Sequence, residues 1–143
     1  MRQGFTVFEL VVVIGLIAAI AGFSVALTTS ALRGQEFDRV REIAKSELAA
    51  ARSDTIAGTQ DSTWGVAFSA TAITRFQGAT FASRNAAMDR VSGVGNAITI
   101  SGATEINFLR PYGVPTASAT VLLSDGNRTA FITVTDAGAI DVR

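Results

Sequence analysis

The 143-residue chain contains no cysteine and no histidine. The first absence excludes disulfides and thiolate nucleophiles; the second removes the usual acid–base group and metal ligand near neutral pH. Proline occurs only at 111 and 115, so none interrupts the first 110 residues. Charge of one sign is missing too: 12 basic and 12 acidic residues cancel, leaving no global field to draw in nucleic acid or acidic lipid. Glycine-rich phosphate loops are absent. The lone Gly-x-Gly of "SGVGN" at Ser92–Asn96 reads as a turn. Asp125-Gly126-Asn127 lacks the further acidic ligands of a calcium loop and reads as hairpin chemistry. Asn127-Arg128-Thr129 fits a glycosylation acceptor, a pattern frequent by chance. No catalytic residue, no metal ligand and no cofactor is therefore assigned.

What the chain does have is a long hydrophobic run. No charge occurs between Leu10 and Leu32. About 20 apolar residues cross a bilayer core, and a secretory signal would hold an apolar region of only about 7–15. The expectation is a transmembrane or fibre-core helix over 5–32, with Arg2 favouring a cytoplasmic N-terminus. Glu9 is the anomaly in this run. The residues one helical turn away are Phe5, Thr6, Val12 and Val13, none of them a cation. A carboxylate at mid-membrane costs about 2.5–3.5 kcal/mol, and less near the interface. Two readings follow. Either Glu9 is solvated at headgroup level, or cleavage between Gly4 and Phe5 creates an amine that pairs with Glu9 of a neighbouring copy. At about 4 Å and an effective dielectric near 20 such a pair gains about 4 kcal/mol. Gly15, Ala18, Ala19 and Gly22 recur at spacings that permit close helix packing, although glycine and alanine are also simply common in spanning helices.

Beyond Leu32 the sequence becomes amphipathic. Phe37, Val40, Ala44, Leu48 and Ala51 form one apolar stripe at three- and four-residue spacing, and Gly58 is a stop signal. A helix continuous from Phe5 would reach about 80 Å. From Ser62 the period shifts toward two. "TWGVAF" and "AITRFQG" read as a hairpin. "GATFASRNAAMDRVSGVGN" reads as a loop with room for a helical turn near Ala86–Arg90. "AITIS", "TEINFLR", "ATVLLSD", "RTAFITVT" and "AIDV" read as strands, with a loop from Pro111 to Pro115 and turns at Asp125–Asn127 and Asp136–Gly138. The expected class is α+β: a long N-terminal helix, apolar in its first half and amphipathic in its second, packed on a C-terminal antiparallel sheet head. The divisions are a leader over 1–4, helix halves over 5–32 and 33–58, and a β-rich head over 59–143.

Arg-Gln-Gly at 2–4, followed by Phe-Thr-Val-Phe-Glu-Leu-Val-Val-Val-Ile at 5–14, resembles the leader of type IV pilins and type II secretion pseudopilins. The resemblance implies cleavage after Gly4 by prepilin peptidase, N-methylation of Phe5, and assembly with other pilin or pseudopilin subunits through Glu9 and Phe5. It also implies single-pass residence in the cytoplasmic membrane, head outside, before entry into a pilus or pseudopilus. Residues 5–57 carry no proline, where major pilins often have one. From Trp64 to Arg143 the chain resembles the GspH/FimT group of minor pilins in "INFLRPYG" and in Arg128, Ile132–Val134, Gly138 and Ile140. The alternative within this family is a DNA-uptake or adhesive minor pilin. Its basic C-terminal motif is not matched by "GAIDVR", and Arg75, Arg84, Arg90, Arg110 and Arg128 are interspersed with acids, so nucleic acid is not an expected partner. Trp64, Phe68, Phe76 and Phe81 are expected in the sheet core rather than as a base-stacking platform.

Overall fold

A computed structural model describes residues 6–143; within it the side chains of residues 23–33 are outside the description. Helix α1 runs Val7–Ile56. The chain divides into two compact units, with the boundary between Gln35 and Glu36. Only the stretch of α1 from Glu36 onward belongs to the head.

That stretch behaves as its spacing dictates. Phe37, Val40, Ala44, Leu48 and Ala51 are all buried. Thr55 extends the stripe by one more turn: its Oγ1 donates to the Ala51 carbonyl at 2.9 Å and accepts the Trp64 N–H at 3.0 Å. A hydroxyl can be buried here because both of its roles are filled. The helix ends at Gly58, whose φ of 65° is the left-handed conformation that favours glycine at this position.

Nine strands follow: β1 Trp64–Phe68, β2 Ala72–Gln77, β3 Arg90–Gly93, β4 Thr99–Gly102, β5 Glu105–Leu109, β6 Val114–Pro115, β7 Ala119–Ser124, β8 Thr129–Val134 and β9 Ile140–Val142. They form two antiparallel sheets, ordered β3-β2-β1-β5-β6 and β4-β7-β8-β9. This corrects the expected architecture. A long helix packed on one sheet is not what forms: the head has two sheets, and the described apolar stretch, 7–22, lies in the other unit. The physical reason is pairing. β1 takes β5 as its second neighbour, while β4 pairs with β7, so strands adjacent in sequence are dealt to different sheets. Two further corrections are local. Arg90–Gly93, read as loop, is an exposed edge strand on β2, and Val114–Pro115 pairs with β5 inside the segment read as a loop.

One continuous core joins α1 to the inner faces of both sheets. It includes Trp64, Val66, Phe68, Ile73, Ile106 and Phe108 from the first sheet and Val121, Leu123, Ala130, Ile132 and Val134 from the second. The first sheet is covered on its other face as well. There the Phe81 ring meets Phe76 edge-on at 5.4 Å, and the Phe81 N–H donates to Glu105 Oε2 at 3.2 Å. Arg84 lies 3.8 Å over the Phe81 ring and pairs with Asp89 at 2.7 Å.

Among the described residues no helix is long and apolar enough to cross a membrane. The described part of the apolar run, 7–22, rises about 24 Å, against a hydrocarbon core of about 30 Å. The remainder of the expected span, 5 and 23–32, lies outside the described residues or side chains.

Polar ties fix the helix to the sheets. Arg75 on β2 reaches Asp54 with Nη1 at 2.6 Å and Glu47 with Nε at 3.1 Å, beside the Trp64 ring. The Glu47 approach is close but not aligned as a hydrogen bond. Removing one partner of a buried pair leaves its charge uncompensated. Arg75→Met is therefore expected to destabilise the chain by about 3 kcal/mol, read as a lower midpoint in urea. Glu36 takes the Arg39 fork at 2.7 and 2.8 Å and the Gly95 N–H at 3.2 Å. The Arg39 hydrogen bond holds its carboxyl below the ordinary value of 4.5. A carboxyl depressed in the folded state adds stability above its unfolded pKa and loses it as pH falls through the folded one. Glu36→Gln should flatten the loss of stability below about pH 4.5, measured by thermal melts across an acid series.

Candidate functional site

Of the residues singled out from the sequence, Gly4 and Phe5 lie outside the described residues. Glu9 sits in the first turn of α1. The helix begins there because Thr6 caps it: Thr6 Oγ1 accepts the Glu9 N–H at 3.2 Å, and the Thr6 carbonyl accepts the Leu10 N–H at 3.2 Å. Thr6-Val7-Phe8-Glu9 is the T-x-x-E pattern of a capping box, a signal present in the sequence that reasoning about membranes passed over. A carboxylate in the first turn also complements the positive end of the helix dipole. The Glu9 carboxylate itself has no ion pair or hydrogen bond among the described residues.

Every described side chain from Val7 to Gly22 is exposed, Phe8 and Val7 to 79%. Apart from Glu9 all are apolar or small, on every side of the helix. A helix that is hydrophobic all round is one that becomes buried against something else. Gly15, Ala18, Ala19 and Gly22 share one face. At about 100° per residue, Glu9 lies about 130° round the helix from the centre of that stripe. The two features therefore face different directions. A Cβ at Gly15 or Gly22 would meet nothing within 4 Å, so nothing described within the chain requires glycine there.

Four of the five arginines considered for nucleic acid are held by carboxylates, and Arg90 lies opposite one of them, Arg75, on the neighbouring strand. Arg75 is tied to Asp54, Arg84 to Asp89, Arg110 to Asp61 at 2.5 Å, and Arg128 to Asp125 at 3.0 Å. Trp64, Phe68 and Phe76 are buried, and Phe81 is partly so. Among the described residues no group of three or more acidic, histidine or cysteine side chains converges as a metal site. Searches against protein-family models, curated proteins and solved structures found no match.

The open surroundings of Gly15 and Gly22 separate intrachain from interchain roles. Gly15→Ala and Gly22→Ala should each favour the isolated helix by about 1 kcal/mol, seen as higher helicity in detergent by circular dichroism. If the small stripe seats a neighbouring helix, the same changes should weaken self-association measured by crosslinking in those micelles.

Proposed function

We propose that this chain is a non-enzymatic structural subunit of a type IV pilus or type II secretion-like pseudopilus, of the minor class, cut after Gly4 and N-methylated on Phe5 by prepilin peptidase. The observation that carries the reading is the stretch from Val7 to Gly22: apolar on all sides, exposed along its whole length in the single chain, and bearing one carboxylate without a partner among the described residues. Such a surface calls for an apolar environment, and an environment built of other subunits also supplies a cation for Glu9. The separation of Glu9 from the small-residue stripe suits a bundle, in which each helix meets several others. Thr6 fits the same scheme. Its cap starts the helix at Val7, downstream of the cut, so processing would leave the first turn intact.

In this reading the precursor waits as a single-span protein of the cytoplasmic membrane, its head outside. The support for the span is the uncharged sequence from Leu10 to Leu32. Partners are the peptidase and other pilin or pseudopilin subunits. A DNA-capturing head has less support, because four of the five arginines considered for it are occupied by carboxylates.

The test is the N-terminus and the glutamate together. Mass spectra of the native protein should show a chain starting at methylated Phe5; a chain starting at Met1 removes the proposal. Glu9→Ala should still be cleaved but enter fibres at least about tenfold less, since each 1.4 kcal/mol lost from the charge pair is a factor of about ten. Normal incorporation of that variant would refute the role given to Glu9.

A further inference from the structure

A groove of about 320 Å³ lies in the head between the last turns of α1 and strand β9, lined by Ala49, Arg52, Ser53, Ile56 and the Gly138–Ile140 segment. Its wall on the sheet side is the Gly138–Ala139 turn and Ile140, the first residue of β9, from which the strand continues as an open edge. Phe131 and Arg143 exchange both backbone hydrogen bonds, at 2.8 and 3.0 Å, and Thr135 donates to the Ala139 carbonyl at 2.9 Å. With Thr133 opposite Asp141 between them, the antiparallel alternation turns both backbone groups of Ile140 and of Val142 outward. No partner for those groups occurs among the described residues.

The wall on the helix side carries a cation. Arg52 is partly buried, and among the described residues its only hydrogen bond runs from Nε to the neutral Gly113 carbonyl, at 3.0 Å. Its guanidinium is held in place by close packing: a Cβ at Gly138 would sit 2.8 Å from Nε, and one at Gly113 would sit 3.0 Å from Cγ. Five other head arginines are each within 3.0 Å of a carboxylate oxygen in addition to Arg75, namely Arg39, Arg84, Arg110, Arg128 and Arg143. Arg52 has none. Around it the groove is apolar, with Ala49, Ile140 and a half-exposed Ile56.

We propose that this groove binds an extended acidic segment of a partner protein, which adds as a strand to the edge of β9 and places a carboxylate on Arg52. Backbone pairing at Ile140 and Val142 supplies direction and register. Alternate side chains of the added strand would lie under α1. There a planar guanidinium with free terminal donors takes a carboxylate through two parallel hydrogen bonds.

The experiment uses the full chain in detergent micelles and two fluorescein-labelled peptides, Val-Thr-Asp-Thr-Val and Val-Thr-Lys-Thr-Val, whose first, third and fifth residues share a face. The acidic peptide should bind and shift the amide resonances of Ile140 and Val142. The lysine peptide should bind about tenfold more weakly or not at all. Ser53→Glu, at an exposed position in the groove, should weaken the acidic peptide by a similar factor while leaving the melting temperature unchanged. Failure of the acidic peptide to bind, equal binding of both peptides, or binding that leaves the two β9 amides unmoved would each overturn the proposal. The peptide comparison on the unmodified chain decides the matter even if Ser53→Glu misfolds.

Discussion

The head depends on one row of side chains. Phe37, Val40, Ala44, Leu48, Ala51 and Thr55 lie along one side of α1, and both sheets close their inner faces on that row. The row includes two alanines, small residues that allow close approach in a core shared with large β-sheet side chains such as Phe108 and Leu123. Among the described residues no other α-helix covers the core face of either sheet. A small domain of this kind has one buried interior to share, and here the helix is the element common to both halves of it.

Polar contacts then set the position of the helix on that interior, at intervals along its length. The Glu36–Arg39 fork holds the chain at Gly93 and Gly95, Arg75 joins Glu47 and Asp54, and Arg52 reaches Gly113. Hydrophobic contact is non-directional and would tolerate some sliding of the helix. Charge-assisted hydrogen bonds are directional. Gly138 and Gly113 leave room for the last of these ties: a Cβ at Gly138 would meet the Gly113 carbonyl at 2.6 Å and Arg52 Nε at 2.8 Å, and one at Gly113 would meet Ile56 at 2.6 Å.

The sequence showed those features that are local. The apolar stripe after Leu32, the stop at Gly58, the hairpin from Trp64 to Gln77 and the turn at Asp125 each depend on residues close together in the chain. At Asp125 the Oδ1 atom accepts the N–H groups of Asn127 and Arg128, at 2.9 and 2.7 Å. The division into two sheets depends on which distant strand each edge finds, and alternation is blind to that choice. β3 escaped notice because Arg90, Val91 and Gly93 are all exposed, so the strand has no buried face to reveal it. Arg52 was likewise invisible as a partly buried cation of a groove. Its isolation is a property of where the carboxylates of other elements fall, not of its neighbours in sequence.

Glu9 shows how one residue can satisfy two requirements. Its backbone N–H closes the Thr6 cap, and its first-turn position favours a negative charge next to the helix N-terminus. Those gains exist within a single chain and ask nothing of the carboxylate's outer face. Among the described residues the same carboxylate has no salt-bridge or side-chain partner and sits in the midst of apolar side chains, a placement that is tolerable in water and expensive in an apolar medium. Helix capping explains why an acid is acceptable at this position; it does not explain why the surrounding surface is apolar on every side. That combination is resolved when burial of the helix and neutralisation of Glu9 come from the same event. In the proposed subunit interface both would come together, with a cationic amine at the first turn; in lipid alone the carboxylate would have to stay solvated at headgroup level.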